Sequence, residues 1–259
     1  MITRRDFLGR IIKCGMVVGG PLATFEFIDV QKMLAAENNK GPRWAFLIDV
    51  SDCCGCGLCV KACKLENEVP YDEPVSNTWI ERYVLTKDGT VLADSPESWK
   101  GFQSSKIDLG EGKERDVTKE EIDKAYFVPK LCNHCDQPSC VQVCPVGATY
   151  KTAEGPVLVD KSWCIGCGYC IQACPYGARY MHPVTHTASK CTFCYHRISQ
   201  GLKPACVEMC PFGSRKIANL ADPDDPVTHE IMGERVAVLK EYMGNKPQAF
   251  YLNLGKEVG

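Results

Sequence analysis

Past its first thirty-six residues the sequence has no apolar run approaching the ~20 residues that a bilayer-spanning helix needs. Any membrane contact of the body is therefore expected to come through a partner. A C-x-x-C-H haem signature is missing too, because Cys194 is followed by Tyr195 and only then His196. Neither a phosphate-cradling loop nor a dinucleotide fingerprint occurs. The formal net charge is only −2, which argues against a nucleic-acid partner or a polybasic membrane patch. The one residue type in excess is cysteine, with 18 in 259 residues. Small secreted disulfide scaffolds reach such densities because they lack a core. This chain is 45 % hydrophobic and long enough to build a core unaided, so its cysteines have another purpose.

Sixteen of them fall into four groups of matching design. The first is Cys53-Cys54-Gly55-Cys56-Gly57-Leu58-Cys59-Val60-Lys61-Ala62-Cys63, a C-x2-C-x2-C-x3-C run. The second, Cys132, Cys135, Cys140 and Cys144 followed by Pro145, has its middle gap widened to four. The third, Cys164, Cys167, Cys170 and Cys174 followed by Pro175, restores the first spacing. The fourth is Cys191 and Cys194, then eleven residues, then Cys206, Cys210 and Pro211.

This is the spacing of bacterial [4Fe-4S] ferredoxins. Three thiolates in a tight loop bind three irons of one cube, and small residues such as Gly55, Gly57, Gly166 and Gly168 let backbone N–H groups turn toward the sulfides. The fourth cysteine is expected to start a helical turn that carries it to a second cube, with the proline suiting the turn that follows. Zinc also uses C-x2-C pairs. It would take pairs of pairs, however, and nothing would require the third and fourth cysteines of each run. Four cubane clusters on sixteen cysteines follow. No ligand position is filled by Trp, Ser or Asp, so no three-iron variant is expected and no open iron site remains for catalysis. Of the two spare cysteines, Cys54 reads as a small buried hydrophobe, and Cys14 stands near the N-terminus without a lipoprotein box.

The order of the four groups, the wide second motif and the C-x2-C-x11-C-x3-C-P fourth motif resemble the iron–sulfur subunits of membrane-associated respiratory complexes. These include the electron-transfer subunits of dimethyl sulfoxide, polysulfide and tetrathionate reductases, formate dehydrogenase, and nitrite-reductase and sulfite-reduction-linked quinone complexes. The likeness covers about residues 42 to 253, and Cys63-Lys64-Leu65-Glu66-Asn67, which lacks the ferredoxin proline, is itself similar to this family's first motif. The resemblance implies an α+β fold of two nested ferredoxin-like bicluster units. The outer unit would be 42–70 plus 185–220, the inner unit 128–184, with an insertion over 71–127 and a C-terminal helix–strand extension over 221–259. Pairing motif one with two and three with four is also open to the sequence. The 68 residues between Cys63 and Cys132 fit a ferredoxin repeat poorly, which favours nesting. Nesting predicts four ligand sets: Cys53, Cys56, Cys59 and Cys210; Cys191, Cys194, Cys206 and Cys63; Cys132, Cys135, Cys140 and Cys174; and Cys164, Cys167, Cys170 and Cys144.

The family implies a non-catalytic relay of electrons between an integral-membrane, quinone-reactive subunit and a catalytic or cytochrome subunit in anaerobic respiration. A free, exported polyferredoxin and a catalytic iron–sulfur reductase are the alternatives. The latter needs an open iron or a second cofactor pocket. In the insertion, Thr78–Leu85 and Val91-Leu92 flank Lys87-Asp88-Gly89, a β-hairpin signal, and the polar run 104–119 reads as a surface loop. Asp222-Pro223-Asp224-Asp225-Pro226 starts a short helix reaching about Glu234, and Gln248–Leu252 reads as a last strand. Trp44, Trp79 and Trp99 read as packing residues. Each cube with its four thiolates carries −2, so four of them take the formal charge from −2 to −10. Lys61, Lys64, Lys130, Lys161, Arg179, Lys190 and Arg197 lie near the motifs to offset it. Most of these are expected to be ordinary surface residues.

Residues 1–36 read as a twin-arginine export signal or N-terminal anchor: Arg4-Arg5, then Phe7-Leu8, then a weak apolar stretch Ile11–Ile28. That route exports proteins already folded, which reconciles cytoplasmic cluster insertion with a destination in the periplasm or on the outer face of the cytoplasmic membrane. Leu34-Ala35-Ala36 is a weak cleavage site. Replacing Arg4 and Arg5 together by lysine is expected to hold the protein in the cytoplasm with its clusters intact, measured by fractionation. Unchanged export would point to carriage by a partner's signal.

Overall fold

The computed structural model describes residues 41–102 and 104–258. The twin-arginine segment, Cys14 and the candidate cleavage site lie outside the described residues. The first strand, β1 (Trp44–Asp49), precedes motif one, whose helix is α1 (Leu58–Glu66). Then come β2 (Thr78–Thr86), β3 (Val91–Asp94), β4 (Lys106–Asp108), β5 (Glu114–Asp116) and β6 (Ile122–Leu131). Motif two holds α2 (Ser139–Gln142) and is followed by β7 (Thr149–Lys151) and β8 (Val157–Val159). Motif three holds α3 (Tyr169–Gln172) and is followed by β9 (Tyr180–Met181) and β10 (Ala188–Ser189). Motif four holds α4 (Tyr195–Ile198) and α5 (Ala205–Glu208), then β11 (Arg215–Asn219), α6 (Pro226–Gly233) and β12 (Ala249–Leu252). Helices and strands are mixed throughout, as in ferredoxin-like folds.

The central sheet ties distant parts of the chain together. β1 runs antiparallel to β11 and parallel to β12. The four residues Ala45, Phe46, Leu47 and Ile48 are completely buried, which a strand covered on both faces requires. Phe46 and Ile48 face the main core with Val60, Leu131, Phe193 and Tyr251, whereas Ala45 and Leu47 pack with Ala218, Ile231 and Leu252 under α6. Asp225 caps α6, accepting from the Val227 and Thr228 amides, with Pro226 in the first turn. The helix and the final strand thus form where the sequence predicts them.

The Asp-Gly hairpin forms at the expected place, with Val84 opposite Leu92. β6 completes its sheet by pairing with β2 along nearly its whole length. The polar run 104–119 differs from expectation, for it contains the β4–β5 hairpin. The reason is two apolar residues in a polar sequence: Ile107 and Val117 are buried against Val84 and Leu92 in a small core of their own. Arg82 reinforces it, bonding both oxygens of Asp94 and donating to the carbonyls of Ser104 and Lys106. Trp44, Trp79 and Trp99 pack on the main core, as expected. Arg82 and Asp94 are 9 % and 7 % exposed, so removing one strands a buried charge, at a cost of about 3–5 kcal/mol. Arg82→Ala is expected to lower the unfolding temperature and to speed amide hydrogen exchange across 104–116 while leaving iron content unchanged.

Candidate iron–sulfur sites

The thiols are aimed by backbone conformation. The residue before the second cysteine is left-handed in all four motifs: Gly55 at φ 70°, His134 at 41°, Gly166 at 69° and Phe193 at 55°. Glycine enters this region without cost, whereas a side chain adds strain of order 1–2 kcal/mol. Packing offsets that strain at the other two. The His134 and Phe193 rings stack with centroids 3.7 Å apart, and both are almost wholly buried. His134 accepts at Nδ1 from the Val157 amide (2.9 Å), leaving Nε2–H to donate to the Cys191 carbonyl (3.0 Å). Burial, with Lys190 nearby, keeps its imidazole well below the ordinary pKa.

The fourth cysteine departs from expectation. Each motif helix carries the third cysteine, and in motifs two, three and four it ends just before the fourth. Proline disfavours helical backbone in the residue before it, so Pro145, Pro175 and Pro211 stop these helices instead of starting new ones. Motif one has Lys64 in that place, and α1 runs on through Cys63 to Glu66. The turn after the cysteine then directs amides at its sulfur. Cys144 Sγ accepts from the Thr149 amide (3.5 Å). Against burial, which raises its pKa, the amides of Thr149, Val146 and Ala148 hold the Cys144 thiol below its usual range. Ala188 N–H donates to Cys164 (3.4 Å), Phe193 N–H to Cys191 (3.3 Å) and Asn67 Nδ2 to Cys63 (3.5 Å).

Two hollows collect thiols from far apart in the sequence. Cys53, Cys56, Cys59 and Cys210 line one of about 310 Å³ atom-free volume, together with Ile80, Pro129 and Arg215. Cys63, Cys191, Cys194 and Cys206 line another of about 260 Å³, with Phe46 and Phe193. Helices α1 and α5 pack together between them, and Glu66 ties α1 to α4 through Arg197 (2.9 Å) and His196 (2.7 Å). A third group shows in its charges: burial first, then Cys132, Cys140 and Cys174, push the Cys135 thiol up to about 12. Burial likewise pushes Cys53 up to about 11, and for Cys63 burial is reinforced by Cys206, Cys191 and Cys194. Motifs two and three, which carry Cys144 and Cys164, Cys167 and Cys170, meet through the packing of α2 on α3 and the Ser139 hydroxyl bond to the Ala173 carbonyl (2.8 Å). Among the described residues no three Cys, His, Asp or Glu side chains converge as one metal ion would need. The thiols stand around volumes instead.

Two expectations need correction. Cys54 is exposed, not buried; it borders the first hollow, where its neighbours turn inward and leave it at the mouth. The cations are not mostly on the surface either, since Lys64, Lys130, Arg179 and Lys190 are buried. Local bonds hold three of them. Lys64 donates to the carbonyls of Pro70 and Glu73, Lys130 pairs with Glu81 at 2.7 Å, and Lys190 donates to the carbonyls of Val157 and Cys191. The largest buried cation, Arg215 at 1 % exposure, went unseen in the sequence. The signal was there: Arg215 follows Cys210-Pro211-Phe212-Gly213-Ser214 just as Arg179 follows Cys174-Pro175-Tyr176-Gly177-Ala178. Arg215 Nε, Nη1 and Nη2, and Arg179 Nε and Nη2, have no hydrogen-bond partner. Buried N–H donors left bare are costly, and an anionic group in the hollows would satisfy them. Thiols, amides aimed at sulfur and waiting cations fit [4Fe-4S] clusters.

Gly57 is the most constrained position of the first loop. At φ 76° a Cβ would meet the Ser98 carbonyl oxygen at 2.2 Å. Gly57→Ala is expected to lose about one cluster's iron and to shift the unfolding temperature down, because the clash with backbone adds to the left-handed strain. Gly89→Ala, with nothing within 4 Å of its Cβ, should keep full iron.

Comparison with known proteins agrees with the chemistry. Residues 123–220 match the 4Fe-4S dicluster domain family and residues 51–72 a 4Fe-4S binding domain. A tetrathionate reductase subunit from Salmonella typhimurium is 36 % identical over 97 % of this chain and 88 % of its own length. Its namesake from Archaeoglobus fulgidus is 44 % identical over 83 % of this chain and 84 % of its own. Protein NrfC of Escherichia coli is 36 % identical, covering 82 % of each. At that similarity over nearly full length, and with thiol-lined hollows, the chain belongs to the [4Fe-4S] electron-transfer subunits of respiratory oxidoreductase complexes.

Proposed function

We propose that the chain holds four [4Fe-4S] clusters on sixteen cysteines in two nested bicluster units, as a wire between a membrane quinone-reactive subunit and a catalytic or cytochrome subunit. The observation that carries this reading is the hollow shared by Cys53, Cys56 and Cys59 from one end of the described chain and Cys210 from the other. Its counterpart, with Cys63 crossing to Cys191, Cys194 and Cys206, supports the reciprocal exchange. The β1–β11 pairing supports an outer unit of 42–70 plus 185–220, and the α2–α3 packing an inner unit of 128–184. β12 returning beside β1 supports reading 221–259 as an extension that closes the outer unit, with 71–127 inserted between motifs one and two.

When bound, such clusters supply one-electron oxidation and reduction. The chain's own part is to hold them at fixed spacing, aim amide donors at their sulfurs and exclude water. Exposure differs among the sites in a way that suits a wire. Cys191, Cys194, Cys206 and Cys63 are all buried, whereas Cys56 and Cys167 are exposed. Exposed apolar residues flank both open sites, Leu58 and Phe212 beside the first, Trp163 and Ile165 beside the second. Electrons enter and leave at these two places. Among the described residues no helix is long and apolar enough to cross a membrane, which fits attachment through a partner. The relative's name, a tetrathionate reductase subunit, fits assembly with a catalytic subunit. Export by the twin-arginine signal would put the assembly on the periplasmic face.

Purified protein made with ample iron is expected to carry four clusters' worth of iron and acid-labile sulfide with negligible zinc. Stoichiometric zinc would overturn the cluster reading. Cys210→Ser is expected to disturb the cluster of Cys53, Cys56 and Cys59 and to leave that of Cys191, Cys194 and Cys206 fully ligated. A structure of the loaded protein with Cys210 on the Cys191 cluster would overturn nesting and leave electron transfer standing.

A further inference from the structure

Arg179 and Arg215 occupy equivalent places, five residues past the last cysteine of motifs three and four, in the repeated run Cys-Pro-x-Gly-[Ala/Ser]-Arg. At the same place motif two has Thr149, whose Oγ1 accepts from Arg179 Nη1 (3.3 Å). Both guanidiniums are buried, 4 % and 1 % exposed, and neither meets a carboxylate among the described residues. Fully buried arginines are rare without an anion. Arg215 lines the hollow of Cys53, Cys56, Cys59 and Cys210, and its charge also acts on Cys206 and Cys63 of the second hollow. Arg179 is close enough to interact electrostatically with Cys132, Cys140 and Cys174 of the third group and with Cys170 of the fourth. The field of each cation therefore reaches thiols of two sites, not of one.

From this we infer that Arg215 and Arg179 are the shared counter-cations of the outer and inner cluster pairs, each raising the reduction potential of both clusters in its own pair. The inference rests on the four-cluster reading above. Its physics is direct. Each electron a cluster accepts from the donor subunit adds one negative charge, and a fixed cation nearby favours that reduced state. At an effective dielectric near 20 the attraction is still on the order of kcal/mol across several ångströms. The two arginines set potentials; they bind no substrate and belong to no catalytic step. Lys190, whose charge acts on Cys132, Cys140 and Cys191, donates instead to two carbonyls. It is not equivalent to them.

The test is an EPR-monitored redox titration of the cluster-loaded full-length protein and its variants. In Arg215→Gln two of the four midpoint potentials are expected to fall by about tenfold in equilibrium constant, which is ~59 mV for a one-electron couple, with the other two held. In Arg179→Gln the other two should fall, and the double variant should move all four. Arg215→Lys, keeping the charge, is expected to hold its pair within about threefold of the parent. If Arg215→Gln fails to assemble, rescue of iron content and potentials by lysine carries the same conclusion. Unmoved potentials, a shift of one cluster alone, a shift spread evenly over all four, or lysine failing as glutamine does would each overturn the inference. Iron content in the parent separates the two readings. A parent short of four clusters refutes the underlying assignment, whereas a full parent with unmoved variants refutes only the role of the arginines.

Discussion

The conformation on which the structure depends is the left-handed backbone one residue before the second cysteine of every motif. Without it the loop cannot curl, and the first three thiols of a motif cannot face one volume. Glycine supplies it at Gly55 and Gly166 at no steric cost. At His134 and Phe193 it is held by burial, ring stacking and two hydrogen bonds through the imidazole. These two strained residues touch each other, so motifs two and four support one another. That contact lies in the main core with Phe46 of β1. Cluster loops and hydrophobic core are packed as one structure.

Concentrating thiolates inside a protein creates the opposing demand, that their charge be met from within. Backbone amides meet part of it: the turn after Cys144 aims three N–H groups at one sulfur. Side-chain cations meet another part, but most buried cations here have neighbours of their own. Lys130 answers Glu81, and Arg82 answers Asp94 and two carbonyls. What distinguishes Arg179 and Arg215 is the lack of such an answer among the described residues. Their bare N–H groups mark where the folded chain expects negative charge.

The sixteen cysteines, their grouping and the [4Fe-4S] chemistry were legible in the sequence, because three thiolates in a tight loop constrain spacing along the chain itself. The Asp-Gly hairpin, the Asp225-capped helix and the last strand were legible for the same reason: each depends on neighbours a few residues apart. Elements whose cause lies across space were not. The β4–β5 hairpin forms because Ile107 and Val117 find Val84 and Leu92, and nothing in the polar run itself announces that. The direction of the motif helices turned on one local rule, for proline ends them and Lys64 lets α1 continue.

Only the tertiary structure decided which thiols share a volume and which cations serve them. Spacing brings Cys53, Cys56 and Cys59 together and, through the long gap after Cys63, favoured Cys210 as their partner over the other pairing; Cys210 reaches them because β11 pairs with β1 and sets the turn after motif four beside the first loop. Arg215, at the start of β11, arrives by the same pairing. Its significance comes from burial and from the absence of a counter-charge, and both are properties of its surroundings. A sequence determines the chemistry of a site wherever the ligands are near in the chain. Where the ligands meet only through the packing of a sheet, the fold must be known before the site can be.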